Sequence, residues 1–173
     1  MHMSKTFIVP AVACYVFALA GCAGSGAAAL QFNNAIAGAN SKLAAAGTSF
    51  GVALGPILQG QPGDPAEIRR QFDSVLQQLA AVQADMKALK VPDSQVAKDF
   101  WNAHQQFLAG QEKMVKQEFK QIVDIVEGTT PAISKPAEIA SVLQRVSGAE
   151  TADLAKVQAA QKTFCKHYNI RLQ

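Results

Sequence analysis

The chain has 173 residues, of which 49% are hydrophobic, 17% charged and 7% aromatic. That length gives room for one domain, and the composition is too apolar for a disordered chain and too sparsely charged for a long solvated coiled coil. Sixteen basic and 13 acidic residues leave a charge of +3, too even a balance for a polyelectrolyte binder, so nucleic acid is not an expected partner. Three cysteines cannot build a disulfide framework.

Residues 1 to 21 carry one charged side chain, Lys5, followed by an apolar run from Phe7 to Ala20 that only Pro10 interrupts. Its 14 residues fall short of the roughly 20 that span a bilayer. A positive start, an apolar core and small residues after it describe a secretory signal peptide. The run closes on Leu19-Ala20-Gly21-Cys22. This resembles the lipobox of bacterial lipoproteins. The resemblance implies a diacylglyceryl group on Cys22, cleavage between Gly21 and Cys22, and acylation of the new amino group. It also implies attachment to a membrane through lipid alone, since two or more chains hold stably. Ala23 stands where an Asp commonly marks inner-membrane retention in Gram-negative lipoproteins. The expected address is therefore the cell membrane through lipid and, in a Gram-negative cell, the outer membrane facing the periplasm. The mature chain from Cys22 loses only Lys5 among its charges and stands at +2, and the signal inflates the mean hydropathy of +0.08.

After a short tether over residues 22–26, four helical stretches are expected. The first runs from about Ala27 to Leu58. Ile36, Leu43, Phe50 and Ile57 recur every seven residues, with Phe32, Ala39, Ala46 and Ala53 on the alternate line. Gly47, Gly51 and Gly55 recur every four residues on a neighbouring face, which reads as a close helix contact inside the bundle that Gly51→Leu would overpack.

Asp64-Pro65-Ala66-Glu67 reads as an N-cap, a Pro at the first helical position and an acid three after the cap. Ile68, Phe72, Val75, Leu79, Val82, Met86 and Leu89 then alternate steps of four and three, and Val91-Pro92 stops the helix. Phe72, Leu79 and Met86 are expected to be buried. The third helix starts at an Asp93 or Ser94 cap and runs to Glu127, with Gly128 as its stop. Its stripe is Val96, Phe100, Phe107, Met114, Phe119, Ile122 and Val126. The fourth opens at Pro136 and carries Ile139, Leu143, Val146, Leu154, Val157, Phe164 and Tyr168, with Ser147-Gly148 as a candidate kink. The expected fold is all-α, an antiparallel up-down-up-down four-helix bundle over residues 27–173.

Motifs for chemistry are few. His104 and His167 lack a Glu three residues before them, where Trp101 and Phe164 stand, so the carboxylate di-iron pattern is missing and no metal site is expected. Cys165 and His167, two apart, point in nearly opposite directions on a helix. They remain the candidate ligand or redox residues. Phe164-Cys165-Lys166-His167-Tyr168-Asn169-Ile170-Arg171, with Pro92-Asp93-Ser94 and Lys98-Asp99-Phe100, resembles elements of the small periplasmic cytochrome bundles, which implies haem on His167. The chain departs from them in having one Cys where covalent attachment needs two, and no Met in the first helix. Cys165 reads as a buried inert thiol beside Phe164 and Tyr168, or, if exposed, as a disulfide partner to another chain.

No nucleophile elbow, phosphate loop or Ser/His/Asp set is present, and Asp124 with Glu127 reads as solvated surface. The expectation is a non-enzymatic binding or interaction module of the envelope without a cofactor beyond the lipid on Cys22. The alternatives are a periplasmic bundle holding haem or a small ligand, and a helper for an outer-membrane complex resembling the pilotins in architecture.

Overall fold

A computed structural model describes residues 25–171. Their helices are α1 (Ser25–Leu58), α2 (Pro65–Lys87), α3 (Gln95–Met114), α4 (Lys120–Glu127) and α5 (Lys135–His167). A π-helical turn over Val115–Phe119 joins α3 to α4, so these make one long rod. Four rods pack as a helical bundle, and no strand occurs among the described residues. The segment 1–24, with the signal and Cys22, lies outside the described residues.

The helix ends follow from local chemistry. Asp64 caps α2 by accepting from the Ala66 N–H at 2.9 Å, with Pro65 in the first turn. The Glu67 carboxylate turns instead to Arg70 and Gln71. Ser94, rather than Asp93, caps α3 through the Ala97 N–H. Gly60 closes α1 in the left-handed region at φ +75°, its N–H reaching the Ile57 carbonyl at 2.9 Å. A side chain at Gly63 would begin 2.5 Å from Ile57, so only glycine lets this loop fold back onto α1. α5 ends with Asn169 at φ 54° and the Ile170 N–H on the Cys165 carbonyl, a closure that satisfies a last-turn acceptor.

The apolar stripes meet in one core. Ile36, Phe50 and Leu54 of α1, Ile68 and Val82 of α2, Phe100, Ile122 and Val123 of the third rod, and Ile139 and Phe164 of α5 are almost fully enclosed. Phe72, Leu79 and Met86 are buried as their spacing requires. Phe32 packs on Phe100, Trp101 and Phe164 with centroids 5.8, 6.2 and 5.5 Å apart, and Phe50 stacks on Phe119 at 4.7 Å.

Three expectations are corrected. The third helix is not plain α throughout, because its stripe steps by five from Met114 to Phe119 and the π turn absorbs the extra residue. α5 runs unbroken through Ser147-Gly148. The glycine face of α1 is not a close contact: a Cβ at Gly47, Gly51 or Gly55 would meet nothing within 4 Å. Nearby Val52 is 72% exposed.

Leu79→Ala removes a buried branched side chain from the centre of α2 and should cost about 2 to 5 kcal/mol in urea unfolding. Loss below about 0.5 kcal/mol, the range of surface changes, would contradict its place in the core. Gly51→Ala should act oppositely. With space for the methyl group and a helical backbone, it should raise stability by about 1 kcal/mol in the same titration.

Candidate functional site

The sequence singles out two places, one before the first described residue and one at the end of α5. Gly21 and Cys22 lie outside the described residues, but α1 begins at Ser25, three residues after Cys22. Cys165 and His167 lie in the last turn of α5, packed by Phe164 against Phe32 and Phe100.

Cys165 and His167 do not converge. The Cys165 side chain is buried, and its Sγ lies 3.5 Å from Asn33 Oδ1. Burial raises the thiol pKa to about 11, so it stays protonated near neutral pH and is a poor nucleophile. His167 is exposed and lies edge-on to Tyr168, at 4.8 Å between centroids. Phe32, Phe100, Trp101, Phe164 and Tyr168 fill the space between the helices there, so a haem reaching between them would have to displace these rings. Among the described residues, no three His, Cys, Asp or Glu side chains gather as a metal site.

The polar groups that are buried occupy the bundle interior and escaped the sequence reading. Asn33 Oδ1 accepts from Gln161 Nε2 at 2.9 Å. Seven residues on, Asn40 Oδ1 lies 3.0 Å from Nε2 of His104, an imidazole fully enclosed beside Trp101 and Phe107. Seven residues beyond His104, Gln111 is buried as well, and burial raises the carboxyl pKa of Glu150 on α5 while Gln111 acts in the opposite sense. Their signal was available: Asn33/Asn40 and His104/Gln111 each repeat at seven, next to apolar stripe positions.

His104 has a clear electrostatic state. Burial lowers its pKa to about 4. The neutral ring donates from Nε2 to Asn40, and Nδ1 is enclosed without a partner. Asp124 and Glu127 belong to separate exposed ion pairs, with Lys120 and with Arg69, and do not form an acid/base couple.

Two surface hollows show what the exterior offers. One of about 290 Å³ lies at the far end among Ile57, the 60–63 loop, Val126 and Lys135, whose Nζ donates to the Val126 carbonyl at 2.7 Å. The other, of about 350 Å³, is a shallow trough beside Val52, bounded by Thr48, Glu67 and Gln71. Neither brings together a nucleophile, a base and an anion cradle. Compared with protein-family models, with curated proteins and with solved structures, the chain finds no match.

The buried imidazole makes stability depend on pH. The folded pKa of about 4 lies below the ordinary value of 6.5, so the unfolded chain binds a proton that the folded one refuses between those values. Stability should therefore fall as pH drops from about 6.5 towards 4, by about 3 kcal/mol in full. Glu150, with its raised pKa, works in the opposite sense at the acid end. Urea titrations across this range should show a flatter pH profile for His104→Leu than for the natural chain. Parallel profiles would mean that His104 titrates equally in both states.

Proposed function

We propose that this protein is a lipid-anchored bacterial envelope protein whose helical bundle is a non-enzymatic binding or interaction module. The observation that carries the reading is the adjacency of Leu19-Ala20-Gly21-Cys22 to the bundle, with residues 23 and 24 alone between the lipobox cysteine and α1. A cleaved and acylated Cys22 would leave a chain that begins with its anchor and enters the fold at once. Ala23 favours the outer membrane over the inner one, with the bundle facing the periplasm.

The bundle reading is an up-down-up-down one. Lys42 pairs with Asp85 and Phe50 packs on Phe72, partners whose numbers run in opposite directions along α1 and α2. The same holds for Gln83 with Glu112 and Arg69 with Glu127, and for Arg145 with Glu118 and Tyr168 with Ser94. No helix among the described residues is long and apolar enough to cross a membrane, so lipid is the means of attachment that this reading requires. Interaction through the surface fits a core filled by its own side chains and hollows without catalytic groups.

Metabolic labelling with a fatty-acid probe tests the anchor. The natural chain should take up label and be processed before residue 22, and Cys22→Ser should lose the label and accumulate as an unprocessed precursor. Labelling and cleavage that survive in Cys22→Ser would overturn the reading.

A further inference from the structure

The near-even charge of the chain conceals an uneven distribution. Phe32 of α1 packs on Phe100 of α3 and Phe164 of α5, and Tyr168 bonds to Ser94, so the start of α1, the start of α3 and the end of α5 share one end of the bundle. The 88–94 loop climbs to this end from α2, whose last turn lies further back, where Asp85 meets Lys42 of mid-α1. Lys90, Lys98, Lys162, Lys166 and Arg171 gather there, all exposed. Two carboxylates, Asp93 and Asp99, face them, and Asp93 is engaged by Lys98 at 2.8 Å. The other described residues carry ten basic and eleven acidic side chains. One end is thus basic and the remainder close to neutral.

We propose that this basic end docks on the anionic phospholipid headgroups of the membrane that holds Cys22, so that the bundle stands with the 59–64 and 128–134 loops pointing away from the bilayer. The proposal rests on the lipid-anchor reading. Three residue steps separate Cys22 from Ser25 and reach at most about 11 Å. Charges on a surface act over a Debye length of about 8 Å at physiological salt, so the tether holds this end within the range of a negative surface. The chemistry suits headgroups better than a shaped anion site. Four of the five cations are lysines, compact charges on flexible stems without the fixed fork that selects a single bound phosphate. A tethered bundle with the opposite charge order would be pushed off the same surface.

The test uses the lipidated full chain mixed with vesicles of phosphatidylcholine alone or of phosphatidylcholine with phosphatidylglycerol. Flotation reports attachment. A membrane-impermeant amine reagent, read by mass spectrometry, reports the exposure of Lys90, Lys162 and Lys166 against Lys113, Lys116 and Lys156 of the same molecule. Flotation with both vesicles, together with several-fold lower labelling of the first group on the anionic ones, supports both anchor and docking. High salt should erase the difference. So should the triple variant Lys90→Glu, Lys162→Glu, Lys166→Glu, which should still float. Flotation with both vesicles and equal labelling overturns the docking and leaves the anchor standing. Flotation with anionic vesicles alone supports docking by charge and overturns the anchor. Flotation with neither overturns both.

Discussion

The bundle depends on two aromatic contacts that cross its interior, Phe32 against Phe100 and Phe50 against Phe119. Phe32 and Phe50 are 18 residues apart, which in an α-helix is five whole turns at about 100° per residue, so both rings leave α1 in the same direction. Phe100 and Phe119 are 19 apart. In an unbroken α-helix the second ring would leave the third rod about 100° away from the first. The π turn over Val115–Phe119 absorbs the additional residue and restores the match, so both contacts form at once. Ala39 and Ala46, buried between the two aromatic levels, leave the room that large side chains would otherwise occupy.

Between these levels lies chemistry that apolar packing could not specify. Phenylalanines tolerate exchange of one apolar neighbour for another, and a bundle held by them alone could slide by a turn at modest cost. Asn40 and His104 cannot. If α1 moved one turn along the third rod, both would face apolar groups and each would carry an unmet hydrogen bond into the interior. Asn33 with Gln161 repeats the constraint nearer the start of α1. The polar rungs fix which residues meet, and the rings supply the burial. The cost of this arrangement is visible in the one enclosed Nδ1 that has no partner.

Much of this was legible in the residues. The uninterrupted four-three alternation of α2, with Asp64-Pro65 at its start, gives its span and its buried face because one local rule and one packing rule agree. The third rod was legible in its ends and its stripe, and the π turn stood in plain view as the step of five between Met114 and Phe119. The glycines of α1 misled because a small-residue repeat says that a helix could come close, not that one does. The interior polar rungs were missed because hydrophobic periodicity scores Asn, Gln and His as solvent-facing, and only partners 64 to 128 residues away make them acceptable inside. At the candidate site the local pattern was the better guide. Phe164 and Tyr168 beside Cys165 announced a buried thiol, and burial does raise its pKa, while its contact with Asn33, 132 residues away, lay beyond any local pattern.

Viewed as a change in chain length, the π turn holds one residue more than a plain α-helix would need there. Removing a residue between Met114 and Phe119 would leave steps of seven, four and three, those of a plain α-helical stripe, and the phenylalanine would still meet Phe50. The same deletion between Phe100 and Phe107 would turn Phe100 and everything before it by about 100° relative to the rest of the rod, carrying His104 or its neighbours away from Asn40. Tolerance to insertion and deletion is therefore concentrated in one turn of the third rod. Related chains that differ in length within a helix should differ there, while their aromatic levels keep the same separation in turns.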